Sequence, residues 1–188
     1  MLFVSRHMQP IADVLESRYP GKGRRRIYRE ELMRVCNEFM ASGLADPKFQ
    51  IELAIGSDAK FWSCLSEALI YQRLKHLNPS ARRIVGEGPD FLIETTEGRI
   101  WIEVVCPEPT GVPQDWLRIQ SNRANSAPNE KILLRWTSAI KDKTDRLVGS
   151  AGGRVRGYLL SGTVSEGDVY VNPPNLAITP CTPSSDAA

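Results

Sequence analysis

The segment Ile100-Trp101-Ile102-Glu103-Val104-Val105 places the tightest constraint on how this chain folds. It is a near-continuous apolar run, suited to a central strand covered on both faces. Glu103 interrupts it, and a carboxylate in such a strand is costly to bury unless something pairs with it. A bound cation would pair with it, and so would an arginine; spacing alone leaves both readings open.

The residues just upstream bear on that choice. The stretch Gly86-Glu87-Gly88-Pro89-Asp90-Phe91-Leu92-Ile93-Glu94 leads into the apolar run through Thr95, Thr96, Glu97, Gly98 and Arg99. Residues 90–95 and 100–106 read as a β-hairpin around that turn. With Glu97-Gly98 as a two-residue turn, Leu92 faces Glu103 and Asp90 faces Val105. Period-two alternation then puts Asp90 and Glu103 on one face as diagonal neighbours, with Cα atoms roughly 7–8 Å apart. Two carboxylates held in this way can share a hard divalent cation, and magnesium prefers oxygen ligands in octahedral geometry. A three-residue loop would shift the register by one and send the two carboxylates to opposite faces.

The rest of the chain supplies helices. Residues 9–19 form a short one, with Ile11, Val14 and Leu15 on one side, ended by Pro20-Gly21. The basic run Lys22-Gly23-Arg24-Arg25-Arg26 follows, read as a solvated loop or a phosphate contact, and leads into a helix at about 28–42. Leu32, Val35, Cys36 and Phe39 are at helical spacing there, and Gly43 is the stop. The strongest helix spans roughly 59–77 behind a Ser57-Asp58 cap, with an apolar stripe of Phe61, Trp62, Leu65, Leu69 and Leu77. Glu67 is expected at the edge of its buried face. A Pro-rich loop is expected at about 107–130, mobile and bordering the site, and a helix at 131–148 with Trp136, Ile140 and Leu147 on one face. Residues 155–160 and 168–171 are weaker segments, and from Asn172 onward the prolines read as a tail. The expected division is a helical segment at 1–56, a core at 57–171 and an irregular tail at 172–188.

Composition narrows the function classes. The 188 residues are 41% hydrophobic and 24% charged, ordinary for one globular domain. A net charge of +2 neither demands nor excludes a polyanionic partner. The four cysteines show no CxxC spacing and there are only two histidines, which argues against a structural zinc site. Cys36, Cys64 and Cys106 sit in apolar runs, as buried thiols do. No signal peptide and no run of membrane-spanning length are visible, so the expected compartment is the cytoplasm, with no membrane partner.

A Pro-Asp at the start of one strand, a carboxylate within the next and a glutamate on the preceding helix together resemble the PD-(D/E)XK nuclease superfamily. The matching residues are Glu67 in Ser66-Glu67-Ala68-Leu69, Asp90 in Gly88-Pro89-Asp90-Phe91, and Glu103 in Trp101-Ile102-Glu103-Val104-Val105. The resemblance covers about residues 58–148. It implies an α/β fold, with a restriction-endonuclease-like mixed central sheet flanked by helices. It also implies a magnesium-dependent nuclease, with manganese as a substitute, and a nucleic-acid partner, DNA ahead of RNA. The three carboxylates would then bind the metal. The superfamily's motif lysine falls at position 105, where this chain has Val105. Some members take that lysine from the following helix, and Lys143 shares the inward face of Ile140 and Leu147 while Lys141 points further round. Lys143 would stabilise charge on the phosphoryl oxygens, and Arg82, Arg83 and Arg135 would hold the nucleic-acid backbone. The alternative is a nuclease-like module that binds nucleic acid or protein without cutting, which Val105 and the tail favour.

Overall fold

The computed structural model describes residues 9–55, 57–80, 88–106, 129–150, 152–153 and 156–172. Among these it is a mixed α/β fold, with six α-helices and one three-stranded mixed sheet. Two compact units divide it, the first ending at Arg73 and the second beginning at Leu74.

The first unit is helical: α1 (Gln9–Arg18), α2 (Arg24–Ala41), α3 (Phe49–Ile55) and α4 (Asp58–Leu74), whose last residue opens the second unit. Arg29 closes the turn between α1 and α2, donating to the Gly21 carbonyl at 2.9 Å and pairing with Glu16 at 2.7 Å. Helix α2 starts at Arg24, ahead of the expected position near 28, so three arginines form its first turn instead of a loop. That end of a helix repels cations. Arg25 is held by the Pro20 carbonyl at 3.1 Å and Arg26 by Glu30 at 2.8 Å.

Helix α3 has no counterpart in the sequence reading, because its seven residues are too short for a periodic pattern. Its buried Phe49 and Leu53 lie one turn apart, and Phe49 meets Phe39 edge-on with ring centroids 5.2 Å apart. Helix α4 buries Phe61, Cys64, Leu65 and Ala68. Leu77, expected on the same stripe, is exposed. The α-helix gives way to a 3₁₀ turn at Lys75–Leu77, which rotates the side chains off the stripe.

The second unit holds β1 (Phe91–Glu94), β2 (Arg99–Ile102), α5 (Asn129–Val148), the single turn α6 (Tyr158–Ser161) and β3 (Val169–Val171). Strand β2 lies between antiparallel β1 and parallel β3. Ser80 bridges the outer edge of β1 at Leu92. The expected loop falls outside the described residues at 107–128, and the expected tail does so from 173 onward.

The hairpin register corrects the sequence reading. Phe91 pairs with Ile102 and Glu94 with Arg99, so four residues, 95–98, make the connection instead of two. The Thr95 hydroxyl organises them, donating to the Gly98 carbonyl at 2.8 Å and accepting the Glu97 N–H at 3.2 Å. Gly98 has φ 149°, which L side chains rarely adopt. Two extra turn residues slide the pairing by two positions, and every side chain keeps its face. One step beyond the ladder, Asp90 therefore falls directly opposite Glu103 instead of diagonal to it.

On one face of the sheet Leu92, Trp101 and Val164 are buried, with Leu147 of α5, Tyr158 of α6 and Tyr170 of β3 packed against them. Ile140, expected on the inward face of α5, is exposed, as are Leu133 and Leu134. Gly157 lies so close to the end of α5 that a Cβ there would sit 2.3 Å from the Gly149 nitrogen. Only glycine fits, and this brings Tyr158 onto α5. Phe91, Ile93 and Ile102 alternate to the other face and are buried too.

Extended one step beyond the ladder, the pairing lays the Leu92–Trp101 face out in three rows: Glu94 and Arg99 beside Asp168, Leu92 and Trp101 beside Tyr170, Asp90 and Glu103 beside Asn172. The first row is closed by Asp168. Its carboxylate accepts the Trp101 indole N–H at 2.8 Å, the Arg99 Nε–H at 3.1 Å and the Ser165 N–H at 2.8 Å. Burial pushes its pKa up, but the Ser165, Trp101 and Arg99 donors outweigh that and hold it below the usual aspartate range. A depressed carboxylate adds stability that is present above its unfolded pKa and is lost as pH falls through its folded one. Asp168→Ala should cost about 1.5–3 kcal/mol at pH 7, the typical worth of hydrogen bonds to a charged group. Urea denaturation should show the deficit shrinking as pH falls below the ordinary aspartate range; a pH-independent deficit would contradict the assignment.

Candidate functional site

The third row is built from the same sheet but closes differently. Glu103 is 2% exposed, immediately after the last ladder residue of β2, and its N–H donates to the Val171 carbonyl at 3.0 Å. That bond fixes the strand end, so the carboxylate cannot swing out to water. Helix α5 answers it with two cations one turn apart. Lys143 Nζ donates to Oε1, and Arg146 reaches the same oxygen at 3.2 Å. The side chains of Lys143 and Arg146 are 19% and 53% exposed. The second carboxylate oxygen, Oε2, is buried and has no hydrogen-bond partner.

Asp90 stands beside this group. Its Oδ2 accepts the Val104 N–H at 2.6 Å, which ties the start of β1 to the end of β2. Burial raises the Glu103 pKa, the Asp90 charge raises it further, and Lys143 and Arg146 oppose both without cancelling them. The phenols of Tyr158 and Tyr170 are pushed up by burial and then by the Glu103 charge, so both rings border the same carboxylates. Arg146, close to the same phenol, pulls the Tyr158 pKa the other way without reversing it. The site thus holds two carboxylates, two cations and two phenols, all in the second unit.

Of the other expected residues, Glu67 is half-buried on α4 in the first unit, where its charge acts on Cys64. Arg135 is half-buried on α5, eight residues before Lys143, which is roughly 12 Å along the axis. Lys141 is exposed and pairs with Asp145 at 2.7 Å. Arg82 and Arg83 lie outside the described residues. Burial pushes the Cys36 and Cys64 thiols up to about 12, which keeps them protonated and unreactive.

Arg146, Tyr158, Tyr170 and Asn172 were not among the candidates read from the sequence. Arg146 had a signal, since it lies three residues after Lys143 and shares its helix face. Tyr170 and Asn172 alternate with Asp168 along one strand, but the prolines after Asn172 masked that period.

A cation fits part of this arrangement. Oε2 of Glu103 is an acceptor with nothing to accept, adjacent to a second carboxylate, and hard oxygen ligands of this kind suit magnesium. Among the described residues, no group of three or more His, Cys, Asp or Glu side chains is placed to hold a metal ion. No helix of the described residues is long and apolar enough to cross a membrane. Compared with known proteins, the chain matches no protein-family model, no curated protein and no solved structure.

The raised pKa makes ionised Glu103 a cost to the fold. Its contribution is complete below the unfolded pKa and is lost as pH rises through the folded one. Glu103→Gln should therefore match the parent protein in acid and exceed it in stability at neutral pH. Lys143→Met, which removes a cation from a buried carboxylate, should cost about 1.5–3 kcal/mol at neutral pH. Denaturation curves at two pH values test both; a Gln variant less stable than the parent at neutral pH would contradict this account.

Proposed function

We propose that the second unit is the catalytic core of a metal-dependent nuclease of the restriction-endonuclease-like class, hydrolysing phosphodiester bonds of DNA or RNA. The observation that carries this reading is the buried Glu103 carboxylate, gripped through one oxygen by Lys143 and Arg146 and left open at the other, beside Asp90. The order of elements supports it: a hairpin with Asp90 before its first strand and Glu103 after its second, then a helix bearing the lysine, then a parallel strand. Lys143 on α5 stands in for the lysine that Val105 lacks. The reading is confined to the second unit, so Glu67 is not needed for it.

Asp90 and Glu103 would hold magnesium, or manganese in its place. When bound, the ion would polarise the scissile phosphate and lower the pKa of a nearby water. Lys143, released from a carboxylate that the ion now neutralises, would face the charge that develops on the phosphoryl oxygens. Arg146 is half-exposed, and its planar donors match a phosphate. Nucleic-acid phosphate is the substrate class these cations suit.

One observation favours a second reading, a nuclease-like module that binds without cutting. Both cations that α5 brings to the site, Lys143 and Arg146, are already engaged by Glu103. Cleavage of labelled DNA and RNA in magnesium or manganese separates the two. The parent protein should cut, Lys143→Met should cut about a hundred- to thousandfold more slowly, and Lys141→Met should cut as the parent does. Equal rates for the parent protein and Lys143→Met would remove the lysine from the mechanism. Salt-dependent binding with no cleavage in either ion would establish the second reading.

A further inference from the structure

Four buried side-chain polar atoms among the described residues lack a hydrogen-bond partner, and three of them are at this one end of the sheet. They are Glu103 Oε2, the Tyr170 hydroxyl and Asn172 Oδ1. Native proteins leave few such atoms, because each costs the desolvation of a polar group with nothing in return. Three in neighbouring rows of one sheet face, with Asn37 Oδ1 the one other among the described residues, mark a place built around something else.

Strand pairing brings them together. Parallel β3 sets Trp101 against Tyr170 and Ile102 against Val171. The next step, reinforced by the Glu103 N–H to the Val171 carbonyl, sets Glu103 against Asn172. Paired residues of parallel strands share a face, so one step beyond the ladder Asn172 and Glu103 fall on the same face. Glu103 Oε2 and Asn172 Oδ1 are both acceptors, and an acceptor is met by a donor or a cation.

We propose that Asn172 is the third oxygen ligand of the divalent cation held by Asp90 and Glu103, and that Tyr170 is a positioning residue that donates to this ligand set. The inference rests on the metal site proposed above and extends it to β3. A neutral amide oxygen is a standard ligand for hard cations. Here it adds no third negative charge to a pocket where one carboxylate already strains against burial. Asn172 supplies the third oxygen that the acidic side chains of the described residues do not, and it does so from the strand that follows the lysine helix.

Manganese binding tests this without any assay of activity. The full chain is titrated with Mn²⁺ and free ion is followed by electron paramagnetic resonance, alongside thermal melts of the metal-free protein. The parent protein should bind at one site, and Asn172→Ala should bind at least about tenfold more weakly, the loss typical even for groups that only support a ligand. Asn172→Asp should restore or tighten binding, and it should melt lower without metal because it adds a charge beside Glu103. Tyr170→Phe should melt higher without metal, since it removes an unpartnered hydroxyl, and should bind the ion more weakly. A parent protein that binds no Mn²⁺ would overturn the metal site and this inference together. A parent protein that binds, with Asn172→Ala binding within twofold of it, would overturn the inference alone and leave a buried water as the partner of these atoms. Should Asn172→Ala fail to fold, the Asn172→Asp and Tyr170→Phe titrations decide: weaker binding in the first and no loss in the second would overturn it equally.

Discussion

The burial of the Glu103 carboxylate is the constraint around which the second unit is arranged. A carboxylate placed among Trp101, Ile102, Val104 and Val105 has to be met by opposite charge, and β2 itself carries none nearby. The charge comes from α5. Parallel strands need a long crossover, so β2 and β3 must be joined by an element that returns along the sheet. That element is the helix whose Lys143 and Arg146 face the carboxylate. The same geometry brings β3 beside β2, and with it Tyr170 and Asn172. One acidic residue in an apolar strand thus ties the choice of crossover, the polarity of the helix face and the composition of the edge strand to each other.

The two ends of β2 show what a satisfied polar network looks like beside an unsatisfied one. At the first end Asp168 collects donors from Arg99, Trp101 and Ser165, and burial is outweighed by hydrogen bonds. At the other end Glu103 meets two cations through a single oxygen, and burial still dominates. The strand is the same, the neighbours are the same two strands, and both ends are polar. The difference lies in the count of donors. A fold optimised only for stability would have closed the second end as it closed the first, for instance with a donor at position 172 in place of an orphaned amide oxygen.

The sequence was most legible where one physical rule acted alone. The face shared by Asp90 and Glu103 follows from period-two alternation, which is why it survived an error in the turn: two residues too few slid the register without exchanging faces. Helix α5 was readable for a related reason, since Lys143 and Leu147 are four apart and both turn inward. What escaped was settled by tertiary contact. Seven residues of α3 carry too few turns for a period. The arginines that open α2 look like a loop until Pro20 and Glu30 are seen to hold them. Asn172 reads as a strand terminator next to two prolines, and only its pairing beside Glu103 gives it a place in the site.

Retaining unsatisfied atoms has an energetic meaning that bears on function. Each orphaned buried polar atom costs on the order of 1–3 kcal/mol, against a total stability of about 5–15 kcal/mol for a domain. Three such atoms on one face of the sheet would therefore cost a substantial fraction of that stability if nothing met them. Buried polar atoms of this kind call for a partner, an ordered water or a bound ion among them. A cation held as proposed above would meet these acceptors and offset the mutual repulsion of Asp90 and Glu103 at the same time. It would also free Lys143, whose present partner is the carboxylate the ion would take over. On the metal site proposed above, binding the ion and freeing the lysine would be one event.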